Sequence, residues 1–139
     1  MRDWNPCEAL PLEGVRILVV EDEPLIAMCV EAALQEFGAI VFVAMSEADA
    51  YRLLEQVCSF ELLMTDVNLG DGGSGFDVAR IARQRDPATA VIYLSGRSES
   101  AVRKGGVARA EYLSKPVSEA ALIRTAAQAV ATMRSAVEQ

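Results

Sequence analysis

The sequence predicts an α/β fold, a five-stranded parallel sheet wound on both faces by helices. Three observations carry that prediction. Short apolar runs rich in Val, Ile and Leu alternate along the chain with stretches of helical periodicity. Those runs are nearly continuous rather than alternating, as strands buried on both faces require. The 139 residues are the length of one such domain.

The elements follow in order. Residues 1–14 hold Trp4, Pro6, Pro11 and Gly14 without periodicity and read as a leader that packs on the body without forming a domain. Val15–Val20 is the first strand. Pro24 suits the first turn of a helix, and Ile26, Val30, Ala33 and Phe37 continue it to Gly38, a natural stop. Ala39–Ala44 is the second strand. Ser46 is placed to cap a helix running to about Cys58, with Tyr51, Leu54 and Cys58 facing inward. Glu61–Thr65 forms the third strand and delivers Asp66 at its end. After a Gly-rich turn, a helix from about Phe76 to Arg85 is halted by Asp86-Pro87. Ala90–Leu94 is the fourth strand, and Glu99–Lys104 a short, weak helix interrupted by Gly105-Gly106. Ala110–Leu113 is the fifth strand. Ser118 then caps a last helix whose stripe of Ile123, Ala127, Val130 and Met133 reads as core rather than a dimer seam. Five such units fit the flavodoxin-like strand order 2-1-3-4-5.

Composition narrows the function. A net charge of -7 with no basic footprint argues against direct nucleic-acid binding. No apolar run is long enough to span a membrane, and no signal-peptide layout opens the chain. Cys7, Cys29 and Cys58 are odd in number and widely spaced, which gives neither a disulfide framework nor a zinc pattern and suits the cytoplasm. The chain has no histidine, which removes His-based triads, HExxH metal sites and a phosphohistidine carrier role.

In a doubly wound sheet the binding crevice lies beyond the carboxyl ends of the strands, where strand order reverses. Glu21, Asp22 and Glu23 follow the first strand, Asp66 and Asn68 the third, Ser95-Gly96 the fourth, and Ser114-Lys115-Pro116 the fifth. Taken singly, each has a plainer explanation. Acidic residues favour a helix N-terminus, a serine at a strand end is usually a turn residue, and a lysine beside proline is usually surface. Together, carboxylates from two strand ends and a lysine from a third are hard to explain as independent caps. Clustered carboxylates call for a cation, and oxygen ligands select a hard one such as Mg²⁺. Lys115 can neutralise a phosphoryl oxygen and Ser95 can hydrogen-bond another. An aspartate so placed can attack phosphorus and hold an acyl phosphate.

The segments VVEDEP, LLMTDVNLG, YLSG and YLSKP occur in the order of the response-regulator receiver family, and the chain resembles that family from about Val15 to Val130. The resemblance implies that Asp66 is the phospho-acceptor, phosphorylated by a sensor histidine kinase with Mg²⁺ as cofactor. It makes Asp22 a direct metal ligand, Glu21 a ligand through water, and Asn68 the donor of a backbone carbonyl to the metal. It makes Ser95 the switch hydroxyl, Lys115 the phosphoryl-gripping lysine and Tyr112 the aromatic that turns inward. The Lys115–Pro116 bond matches one that is cis in the family. On this reading residues 15–137 are the receiver domain, a regulatory module rather than a turnover enzyme, and of the stand-alone type. Its partners are the kinase and a downstream protein or phosphotransferase, with a second copy of the chain as a further candidate. Departures from the family are Gly70 where proline is common, a turn through Gly75 that is one residue longer, a short Ser95–Lys115 interval, and Val117 where an aromatic is usual.

Two rivals are weighed against this. Gly70, Gly72 and Gly75 spell GxGxxG, a dinucleotide fingerprint, but after the third strand instead of the first, and without the acidic residue after the next strand. The better reading of these glycines is flexibility beside the acceptor. A haloacid-dehalogenase-like aspartyl-phosphate hydrolase needs a second aspartate two residues after the nucleophile, where Asn68 stands here.

Overall fold

The computed structural model describes residues 10–70, 73–96 and 105–138. Its elements in chain order are β1 (Arg16–Val20), α1 (Pro24–Glu36), β2 (Ile40–Ala44), α2 (Glu47–Gln56), β3 (Leu62–Asp66), α3 (Gly75–Arg85), β4 (Ala90–Ser95), β5 (Ala110–Ser114) and α4 (Glu119–Glu138). All four strand pairings are parallel and the order is β2-β1-β3-β4-β5. This is the doubly wound, flavodoxin-like arrangement the sequence predicts. The expected helix at Glu99–Lys104 lies outside the described residues, as do Asp71, Gly72 and residues 1–9.

The pleat sorts the strand residues into two cores. Ile17, Val19, Leu62, Met64 and Ile92 face α1 and α4, where Leu34, Leu122, Ala126 and Met133 cover them. Leu18, Val20, Leu63, Val91 and Tyr93 face α2 and α3, where Ala50, Leu54, Val78 and Ala82 close the layer. Every residue of β3 and β4 is buried, which explains their continuous apolar sequences. The last helix also buries Ile123, Val130 and Met133, with Ala127 half-buried at the margin, so its stripe is core.

Local signals act as read. Pro24 stands in the first turn of α1, and Gly38 ends that segment at φ +99°, a conformation open to glycine. The Ser46 hydroxyl accepts from Asp49 N–H at 3.0 Å and the Ser118 hydroxyl from Ala121 N–H at 3.1 Å. Leu12 is fully buried and its N–H donates to the Phe37 carbonyl, so the end of the leader packs on the body. One expectation fails. Cys58 is exposed, because α2 ends at Gln56 and the chain turns away before Cys58 can face the core.

Candidate functional site

Four connections converge beyond the carboxyl ends of the strands. β1 delivers Glu21, whose N–H donates to the Ala44 carbonyl at the end of β2, fixing its depth. β3 ends on Asp66, in register with Leu94 of β4. β4 ends on Ser95, in register with Ser114 of β5, and the Ser95 carbonyl accepts from Lys115 N–H at 2.9 Å. Glu21 and Asp66 are 1% and 4% exposed, which is rare for carboxylates and demands partners.

Lys115 is the main partner. Its Nζ lies 3.1 Å from Glu21 Oε1 and 2.5 Å from Asp66 Oδ1. The contact with Asp66 is an ion pair out of line for a hydrogen bond, and this buried Oδ1 has no other donor among the described residues. Ligand oxygens of Glu21, Asp22 and Asp66 all lie within 4.8 Å of one another. Three carboxylates against one ammonium leave a local excess of negative charge.

The electrostatics follow from that crowding. Burial pushes the Asp66 carboxyl up to about 7, reinforced by its hydrogen-bonded contact with Glu21 and that group's charge, and opposed by Lys115. Burial also pushes Glu21 upward, but contacts with Asp66, the Glu23 N–H and Lys115 outweigh it and hold Glu21 below its ordinary value. Lys115 is lowered by burial and raised more strongly by the two carboxyls, so its charge is secured.

The remaining expected residues are placed around this centre. Asp22 is exposed, and its Oδ2 accepts from Gly70 N–H at 3.0 Å. Asn68 forms an isolated antiparallel bridge with Ser74 and is exposed. Ser95 is buried at the strand end. Tyr112 is half-buried one strand over, its ring 5.4 Å from that of Tyr93, which in turn packs edge-on to Phe76. Lys115–Pro116 is cis. Beside the crevice, the stem of Lys115 lines an apolar groove of about 500 Å³ between α1 and α4, with Leu25 and Cys29 on its other wall.

Several contributors escape sequence reasoning. A Cβ at Gly75 would lie 1.8 Å from the Asp66 carbonyl oxygen and 2.9 Å from Thr65 Oγ1, so only glycine lets α3 start against the end of β3. The Gly75 N–H donates to the Val67 carbonyl at 2.8 Å. Glu47, in the first turn of α2, accepts from Ser74 N–H at 3.2 Å and from the Tyr51 hydroxyl at 2.6 Å. Among the described residues of this turn, Gly70, Gly73 and Gly75 each make a hydrogen bond through the backbone N–H. Ser74 ahead of Gly75 was the available signal, since its hydroxyl caps α3. Gly105 and Gly106 serve packing in the same way. A side chain at Gly105 would strike the Phe76 ring, and one at Gly106 the Tyr112 hydroxyl.

Residues 17–127 match the sequence model of the response regulator receiver domain. The chain belongs to that family. Among its relatives, the phyllosphere-induced regulator PhyR of Methylorubrum extorquens is 37% identical over 65 residues, covering 46% of this chain and 24% of PhyR. The transcriptional regulatory protein TrcR of Mycobacterium tuberculosis is 30% identical over 106 residues, 75% of this chain and 40% of TrcR. This receiver domain thus spans between about a quarter and two fifths of the length of these curated relatives. A crystal structure of a response regulator receiver protein from Sinorhizobium medicae superposes with a TM-score of 0.81 at 30% identity, covering 87% of this chain and 98% of that one. The protein is a receiver domain of the two-component response-regulator type, and it carries an acidic cluster of Glu21, Asp22 and Asp66. Among the described residues no helix is long and apolar enough to cross a membrane.

Proposed function

We propose that this receiver domain, residues 15–137, takes a phosphoryl group onto Asp66 from a phosphohistidine of a sensor histidine kinase in the cytoplasm. The observation that carries the reading is the buried Asp66 carboxylate, set between two further carboxylates and Lys115, with Oδ1 lacking an aligned donor. The donor set fits Mg²⁺: it is all oxygen, carries excess negative charge, and includes a buried oxygen short of partners. Asp22, Asp66 and the Asn68 carbonyl would hold the ion directly and Glu21 through water. Mg²⁺ supplies neutralisation of the carboxylates and of the charge on the phosphoryl oxygens.

The chain's own residues carry the rest. A carboxylate oxygen of Asp66 forms a bond to phosphorus as the phosphorus–nitrogen bond of the donor breaks. The electron pair leaves with the imidazole, which takes a proton from water, and an acyl phosphate remains on Asp66. Lys115, already charged and 2.5 Å from the acceptor, neutralises a phosphoryl oxygen. Ser95 hydrogen-bonds another, and Tyr112 follows it inward, shifting a two-state equilibrium toward a form that binds a downstream protein or phosphotransferase. The role is regulatory. Asn68, in place of a second aspartate, disfavours hydrolase turnover.

Intact mass after incubation with acetyl phosphate and Mg²⁺ tests this directly. The expected result is one phosphoryl adduct, lost in Asp66→Asn and on chelation of the metal. An undiminished adduct in Asp66→Asn overturns the assignment. Sustained hydrolysis of a generic phosphate ester, abolished by Asp66→Asn, overturns the regulatory reading.

A further inference from the structure

Asp22 is exposed on the connection between β1 and α1, where a carboxylate has several rotamers open to it. It is nevertheless held. Its Oδ2 accepts from the N–H of Gly70, 48 residues away in sequence, at 3.0 Å. A Cβ at position 70 would stand 2.9 Å from that same oxygen, so the approach is fully open only to glycine. The amide is fixed in turn by its own loop. The Gly70 carbonyl accepts from Gly73 N–H at 3.3 Å, Leu69 N–H donates to the Gly73 carbonyl at 3.0 Å, and Asn68 pairs with Ser74. Ser74 N–H is anchored on Glu47 of α2. The described residues on either side of this turn are thus paired with each other and held to α2 by Ser74 and to Asp22 by Gly70.

We infer that Gly70, through its backbone N–H, is a positioning residue for Asp22, holding one carboxylate oxygen so that the other is presented to a divalent cation. The inference rests on the metal-dependent acceptor reading above. Proline, the residue common in the family at this position, has no N–H to offer. Gly70 therefore adds a support that a proline-bearing receiver lacks. Hydrogen bonds to a metal-ligating carboxylate orient it, and losing one typically weakens metal binding by a factor of 10–100. With Asp22 exposed, the low end of that range applies.

Mg²⁺ titration of the unphosphorylated protein, followed by calorimetry and amide NMR, provides the test. Gly70→Pro removes the donor and should weaken Mg²⁺ about tenfold while leaving the melting temperature nearly unchanged. Gly70→Ala keeps the N–H but sets its Cβ 2.9 Å from Asp22 Oδ2, so it should weaken Mg²⁺ less than Gly70→Pro, which removes the donor as well. A folded Gly70→Pro that binds Mg²⁺ as the parent does overturns the inference, as does an equal loss in both variants. If Gly70→Pro does not fold, the Gly70 amide decides. Its proton should lose its hydrogen-bonded shift and exchange protection in Asp22→Ala, and an unchanged amide overturns the inference. A parent protein that takes no Mg²⁺ at millimolar concentrations overturns the metal-dependent reading instead, and the Gly70 amide still reports on the positioning.

Discussion

At the amino ends of the strands, polar groups are matched to backbone. Thr89, buried, donates its hydroxyl to the Phe60 carbonyl at 2.9 Å, and Arg83 donates from Nε to the Thr89 carbonyl at 2.6 Å and from Nη1 to the Ala108 carbonyl at 2.6 Å. Arg134 of α4 pairs there with Glu61. At the carboxyl ends, by contrast, three carboxylates face one ammonium, and a buried oxygen of Asp66 lacks an aligned donor. One end spends its polar groups on joining the layers. The other keeps charge imperfectly compensated, the arrangement expected where a charged ligand completes the site.

The comparison breaks most readily at Gly75. A methyl group there would press to 1.8 Å from the Asp66 carbonyl oxygen, and that oxygen belongs to a central strand that cannot retreat. Gly75→Ala should cost about 3 kcal/mol or more, the upper range for overpacking. A shift in the urea midpoint measures it, and a variant as stable as the parent would mean that the turn yields where the geometry says it is fixed.

The second effect depends on pH. Folded Asp66 binds its proton more tightly than the unfolded chain does, with a value of about 7 against an ordinary 3.8. Between these values the folded state holds more protons, so its stability is complete at the acid end and falls as pH rises through about 7. Glu21, held below its ordinary 4.5, acts in the opposite sense and only on the acid side of that value. Metal-free protein should therefore lose on the order of 2 kcal/mol between pH 5 and pH 8, since partly exposed Lys115 lets water relieve some of the burial. Asp66→Asn should flatten the slope, and Mg²⁺ should restore stability at the alkaline end. An equal slope in Asp66→Asn, by denaturant unfolding at each pH, would place the titrating group elsewhere.

These residues also show what a sequence can reveal. Strand order, the two-sided burial of β3 and β4, and the clustering of Glu21, Asp22, Asp66 and Lys115 were legible because each depends on strand ends and apolar runs. Cys58 misled because helix periodicity says nothing of where the helix stops, and α2 stops two residues earlier. The turn after Asp66 hides more. Besides any freedom its glycines supply, Gly75 allows close approach to the Asp66 backbone and Gly70 directs an N–H at Asp22. Both roles depend on atoms 9 and 48 positions away in the chain, which no local pattern encodes. Glu47 was hidden likewise, reading as an ordinary acidic residue at a helix start while its carboxylate accepts from Ser74 N–H in the turn after Asp66.

The smallest effect belongs to the amino end and shows whether the two ends are separable. Thr89→Val keeps the shape of a buried side chain and removes its hydroxyl, so the Phe60 carbonyl loses a 2.9 Å hydrogen bond. The expected cost is about 1 kcal/mol in unfolding free energy, the usual worth of one such bond. Thr89 precedes β4 at the end remote from Ser95, and sites that share no partners behave additively. Mg²⁺ affinity and the extent of acetyl-phosphate labelling should therefore match the parent. If labelling falls along with stability, β4 transmits strain along its whole length, and the division between a structural end and a chemical end must be abandoned.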